Sequence, residues 1–142
     1  MLVDVRDFLF APLAGNLFLL EISAKEAGLL AGADKLAVKA RELGLQVEWL
    51  APEGTPLANG TCVFRARGDA WQVARAEEEL LGCIGKASGV ATAAAEMVKR
   101  ARGRVSIVCG AWKKVPSEVR QDLRRAIATG GAGIRITEEP FV

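Results

Sequence analysis

Two runs decide the fold: Ser88-Gly89-Val90-Ala91-Thr92, and after it Ile107-Val108-Cys109-Gly110-Ala111-Trp112-Lys113-Lys114. The first reads as the opening of a helix. The second reads as a buried strand ending in a tight turn that carries two lysines. In α/β proteins the chemistry sits just beyond the carboxyl ends of strands. Two adjacent ammonium groups there, with Arg124 and Arg125 one helix later, point to an anionic ligand without naming a reaction.

Downstream, Gly103 stops the helix and Val105 to Cys109 is a nearly continuous apolar run, as expected of a strand covered on both faces. Cys109 is then expected to pack in the core. Pro116 suits a first helical turn. Val119, Leu123, Ala126 and Ile127 line the next helix, Gly130-Gly131 stops it, and Ile134-Arg135-Ile136 resembles the start of another strand. Helix, strand, helix, strand from residue 88 is the beginning of a βα series. A parallel sheet needs more strands than this. The segment is therefore expected either to continue in a longer protein or to complete its sheet with another subunit.

Upstream, Asn16 to Ile22 reads as a strand, and Leu29-Leu30-Ala31 as a short extended piece between Gly28 and Gly32. Leu36, Ala40 and Leu43 mark a helix that Gly44 ends. Leu45 to Leu50 alternates as a half-buried strand. Turn signals at Pro52 to Pro56 and at Asn59-Gly60 lead into a strand over Thr61 to Arg67. Asp69 can cap the following helix. Its apolar stripe is Val73, Leu80, Leu81 and Ile84, and Ser88-Gly89 is expected to break it. A new helix then presents Val90, Ala94, Met97 and Ala101, and its small residues imply a closely packed neighbour.

The 142 residues, 51% hydrophobic, suffice for a real core. A net charge of +2 argues against a general nucleic-acid binder, but the charge is unevenly spread. Residues 1–98 carry nine Lys/Arg and thirteen Asp/Glu, whereas residues 99–142 carry ten and four. The last third thus has a field that attracts anions. There is no histidine, which removes Ser-His-Asp and Cys-His nucleophile systems and the commonest metal ligand. Cys62, Cys83 and Cys109 have no paired spacing, so disulfides are not expected and a reducing cytoplasm fits. The first residues lack a signal-peptide layout and no apolar run reaches a membrane span.

Four pieces occur in a characteristic order: Ala24 to Gly32; Val47-Glu48-Trp49 with Glu53-Gly54, Leu57 and Gly60; Glu77 to Leu81 running into Ser88 to Thr92; and Lys113, Pro116 and Gly130-Gly131. In these the chain resembles quinolinate phosphoribosyltransferase, also called nicotinate-nucleotide pyrophosphorylase (carboxylating), over its N-terminal domain and first barrel unit. The resemblance implies an α/β fold: an α+β capping domain with glycine-turn strands over 1–87, and the start of an open α/β barrel over 88–142. It implies a homodimer or larger homo-oligomer in which one subunit's N-terminal domain caps another's barrel. It implies Mg²⁺-dependent transfer of phosphoribosyl from phosphoribosyl pyrophosphate to a pyridine carboxylate in NAD biosynthesis, with the acceptor open to divergence. The alternative is a non-catalytic domain or subunit that pairs with a separate barrel. The Mg²⁺ and diphosphate sites would lie largely in later barrel units.

On that resemblance Lys113 matches the lysine of an Arg-Lys pair, with Trp112 at the arginine position. Glu77 matches the acid of a Glu-Arg pair whose arginine reaches the partner's substrate, and Glu78 stands at the arginine position. Lys86 matches a later basic residue, Arg124 a helix lysine, and Arg135 lies at or beside a His-Arg pair. The substrate- and phosphate-binding set is therefore Lys113, Lys114, Arg124, Trp112, Lys86, Glu77 and Arg135, with no catalytic group assigned. Bland readings stand beside these. Lys113 and Lys114 could be a solvated turn, Trp112 could pack rather than stack on a flat ring, and Glu77 to Glu79 could be an exposed helix face.

Overall fold

The computed structural model describes residues 3–137. One helix organises it. α3, Ala70–Ala101, runs 32 residues without interruption. It starts at a capping box in which Asp69 accepts from the Gln72 N–H while Gln72 Oε1 accepts from the Asp69 N–H. It ends at Arg102 in the left-handed conformation (φ 50°).

The break expected at Ser88-Gly89 does not occur. Gly89 is tolerated because it lies on an exposed helix surface, and its helix cost of roughly 1 kcal/mol is small against the packing of neighbouring Ala91. The 87/88 boundary thus falls inside a continuous helix. The expected face packs only in part: Val90 and Ala94 are partly covered and Met97 is exposed, while Ala91 beside them is fully buried.

The first half of α3 covers a three-stranded antiparallel sheet in the order β1-β5-β3, formed by Phe18–Ser23, Cys62–Gly68 and Gln46–Leu50. α2, Ala33–Glu42, packs beside it. The core gathers Leu36, Leu45, Phe64, Ala66, Leu80 and Ile84. β3 is not half-buried as its alternation predicts. It is an edge strand, and Val47 and Trp49 stay exposed. The helix α1, Val5–Phe10, has no counterpart in the sequence reading. Its charged side faces inward: Arg6 and Arg75 both lie over the Trp71 ring, and Trp71 Nε1 donates to Asp7. Phe8 and Leu9 face outward instead.

The short strands β2 (Gly28–Leu29) and β4 (Pro56–Leu57) form a separate ribbon. This ribbon is pinned to α3 by the two hydroxyls of the Ser-Gly-Val-Ala-Thr run. The Leu29 N–H donates to Thr92 Oγ1 at 2.9 Å and the Ala31 N–H to Ser88 Oγ at 3.0 Å. Spaced four apart, both hydroxyls lie on one face of the helix.

The second half of α3 packs on α4, Ser117–Thr129. The closely packed neighbour that the small residues imply is here: at Gly130 a Cβ would run into the Ala91 carbonyl oxygen and the Ala94 side chain. The buried strand expected over Val105 to Cys109 reduces to one parallel bridge, Val108 to Gly133. Val105 is 64% exposed and Cys109 is only partly covered, because no further strand pairs with this segment among the described residues. The strand expected at Ile134 to Ile136 is likewise not formed, and Ile136 is 89% exposed.

Candidate functional site

The parallel bridge fixes where the lysine turn sits. The Cys109 N–H donates to the Gly133 carbonyl, and the Gly133 N–H to the Ile107 carbonyl, each at 2.9 Å. Ala111–Lys114 then forms one 3-10 turn ahead of α4. Trp112 leans back over the bridge, and its Nε1 donates to the Ile134 carbonyl at 3.1 Å. The guanidinium of Arg124 lies over the indole, 3.8 Å from the ring centre, and the Lys113 ammonium lies 5.6 Å from it. Trp112, Lys113 and Arg124 are thus brought together.

Arg120 joins them. Its Nε donates to the Val115 carbonyl at 3.0 Å and its Nη2 to the Lys113 carbonyl at 3.5 Å, which fastens the turn to α4. The sequence reading missed this residue. The signal was available: Arg120 and Arg124 are four apart on one helix and therefore neighbours on its surface.

The other residues of the set are elsewhere or apart. Lys114 is exposed in the same turn, and Arg135 is exposed just past the bridge. Lys86 lies on α3 at a cavity of about 160 Å³ with Val115, Val119 and Leu123. Glu77 lines a different feature, an open groove of about 660 Å³ between α3, β1 and Phe10 and Leu13.

Among the described residues, no cation of the segment 102–137 forms an ion pair. Asp122 is the segment's one paired carboxylate, and it binds Lys35 of α2. Glu118 stays within its own helix start, where its backbone N–H and Ser117 hold its carboxyl below the usual range. Glu53 serves as a clip. It accepts from the Gly32 and Ala33 N–H groups at the uncapped start of α2, and from Thr129 Oγ1 at the end of α4. Cys83 lies beneath the Lys35–Asp122 pair, and burial raises its pKa first among several causes.

The cluster at Trp112 can therefore receive an oxyanion. It does not suit a magnesium ion, which takes carboxylate and carbonyl oxygens. Among the described residues no three His, Cys, Asp or Glu side chains gather into a metal site. No described helix is long and apolar enough to cross a membrane.

Comparisons with known proteins agree with this architecture. Residues 14–88 match the family "Quinolinate phosphoribosyl transferase, N-terminal domain". The chain is 29% identical over 118 residues to a probable nicotinate-nucleotide pyrophosphorylase [carboxylating] of Methanothermobacter thermautotrophicus, covering 82% of this chain and 42% of the relative. It is 36% identical over 95 residues to the human nicotinate-nucleotide pyrophosphorylase [carboxylating], covering 66% and 32%. In structure it resembles NadC from Streptococcus pyogenes, with a TM-score of 0.80 at 20% identity over 94% of this chain and 48% of that one. The chain thus spans less than half the length of the relatives it matches. With an α/β fold and a family match over more than half its residues, the chain belongs to the quinolinate phosphoribosyl transferase family and carries that family's N-terminal domain.

Proposed function

We propose that this protein takes part in phosphoribosyl transfer of the pyridine-nucleotide type. Residues 1–87 would act as the cap and residues 88–142 as the first unit of the barrel on which the reaction is carried. The observation that supports this most is the unpaired cationic turn. Lys113 and Arg124 both lie over the Trp112 ring beyond a parallel backbone bridge, and among the described residues neither has a carboxylate partner. Point charges suffice for phosphate, and a guanidinium adds the planar fork that suits carboxylate. In such a reaction these residues would bind and orient anionic groups and stabilise charge on a departing pyrophosphate. Magnesium would arrive with phosphoribosyl pyrophosphate rather than on this set of side chains.

The partner would be another subunit of the same kind. The open groove at Glu77, lined also by Phe10, Leu13 and Leu19, is apolar surface of the sort an interface covers. Three free cysteines fit residence in the cytoplasm.

A second reading has its own support. Glu78 is exposed beside that groove and pairs loosely with Arg6 at 3.8 Å, so it places a negative charge at the cap's edge. This favours a non-catalytic cap that pairs with a separate barrel.

The test is transfer from phosphoribosyl pyrophosphate to quinolinate or nicotinate with Mg²⁺. It is run on the native protein alone and with a family barrel supplied in trans, with Lys113→Ala as the control. Transfer that falls at least tenfold in the variant, as about 1.4 kcal/mol of lost charge stabilisation would give, supports the first reading. Transfer only in trans and indifferent to Lys113 supports the second. No transfer in either format overturns both.

A further inference from the structure

Arg124 is held in a way that stability alone does not explain. Its Nε is buried and has no hydrogen-bond partner among the described residues. No carboxylate pairs with its guanidinium among the described residues. An unpartnered buried donor is a liability, and the attraction of a guanidinium for an indole face does no more than offset it. A second cation, Lys113, lies over the same ring at 5.6 Å. Two like charges on one side chain repel unless an anion joins them.

The shelf beneath them is fixed. The Trp112 indole is anchored by its own N–H to the Ile134 carbonyl, next to the bridge that Ile107, Cys109 and Gly133 close. Arg120 holds the turn from the other side through the Lys113 and Val115 carbonyls. The indole therefore has its edge and one face engaged before any ligand arrives.

We propose that Trp112 is a positioning residue. Its indole fixes the Arg124 guanidinium beside Lys113, so that the two cations receive one oxyanion, and the ring itself is not a stacking surface for a flat ligand. The inference rests on the anion-binding reading above and assigns Trp112 the place of a shelf within it. The oxyanion is a phosphate or a carboxylate, which share this chemistry.

The test is a double-mutant cycle on the full chain, read by calorimetry with two probes, inorganic pyrophosphate and phthalate. At least one probe is expected to bind saturably, and which one binds identifies the source of the oxyanion. Trp112→Leu and Arg124→Lys should each weaken that binding about tenfold, and the double variant should be no weaker than either alone, a coupling within the range seen for residues in contact. Trp112→Phe keeps a ring face but loses the N–H anchor to Ile134, and should bind more weakly than the unaltered protein yet more tightly than the leucine variant. Should the leucine variant fail to fold by circular dichroism, Trp112→Ala replaces it, and Trp112→Phe against Arg124→Lys still reads the shelf.

A double variant weakened about a hundredfold, phenylalanine as damaging as leucine, or no saturable binding of either probe overturns the assignment. Phosphoribosyl transfer without this coupling sinks the shelf alone. Coupling without transfer sinks the functional reading alone.

Discussion

The sheet half of the molecule and its last third are built on opposite electrostatic plans. In residues 3–101, Arg6, Lys39, Arg65, Arg67, Arg75 and Arg100 each meet a carboxylate of the same region. Lys35 reaches across to Asp122. In residues 102–137 eight Lys/Arg residues have no ion pair among the described residues, and two of them share one indole. The cores differ in the same sense. Phe64, Leu36 and Leu80 are fully enclosed in the first region, whereas in the second the enclosed large side chain is Ile127 of α4, and Val105 and Val108 are exposed. The difference teaches that the first region is finished as a folding unit. Among the described residues the second leaves its cations without carboxylates and its one backbone bridge without a further strand.

Several substitutions would break or sharpen that contrast. The largest effect is expected from Phe64→Ala, which empties the centre of the finished core. It should cost about 4 kcal/mol, seen as a fall in the denaturation midpoint. A cost under about 1 kcal/mol would mean that the two regions are equally loose.

Gly130→Ala should cost about 2 kcal/mol or more, because the new Cβ meets the Ala91 carbonyl and the Ala94 side chain. Here hydrogen exchange is the telling measurement. Amides of α4 should lose protection while those of β5 keep theirs, since α4 reaches the first region mainly through α3.

Thr92→Val keeps the shape but removes the acceptor of the Leu29 N–H. It should cost roughly 1–3 kcal/mol, with faster exchange at Leu29 as its local sign. Unchanged exchange there would deny the hydroxyl its pinning role.

The smallest effect concerns pH. Hydrogen bonds from Arg65 and from Arg75 hold the Glu21 and Glu79 carboxyls below their ordinary 4.5, and Arg6 holds Asp4 below 3.8. Groups with a depressed folded pKa contribute stability above the unfolded value and lose it as pH falls through the folded one. Stability should therefore be level near neutrality and decline below about pH 4.5. Glu21→Gln and Glu79→Gln should flatten that decline slightly, because these pairs are exposed and screened. Urea titrations at several pH values read it.

Much of this was legible in the chain. Gly44, Asp69 and Gly130 marked element ends correctly because caps and stops are local chemistry. The cationic turn was legible because Trp112, Lys113 and Lys114 follow an apolar run directly. Arg120 was legible only as a surface neighbour of Arg124; its hold on the Val115 and Lys113 carbonyls was not, since only the turn of the chain brings them near. The run Ser88 to Thr92 stands out as a motif in the sequence, but the break expected at Ser88-Gly89 is not there, because α3 runs through it. Glycine and serine in sequence look like punctuation, while here Gly89 is simply exposed, the Ser88 and Thr92 hydroxyls receive the Ala31 and Leu29 N–H groups, and Gly28 of β2 permits the close approach to Thr92.

By itself the sequence determined the order of the main strands and the helix between Phe18 and Gly68, the excess of positive charge in the last third, and the resemblance by which the family was recognised. Those depend on periodicity, caps and composition, which act over a few residues. Only the tertiary structure decided that α3 is one helix, that α1 turns its charged side inward, and that Arg124 rests on Trp112. Each of these depends on contacts between residues far apart in the chain, such as Leu29 with Thr92 and Trp112 with Ile134. Local propensity carries no information about such contacts, and packing supplies the energy that overrides it.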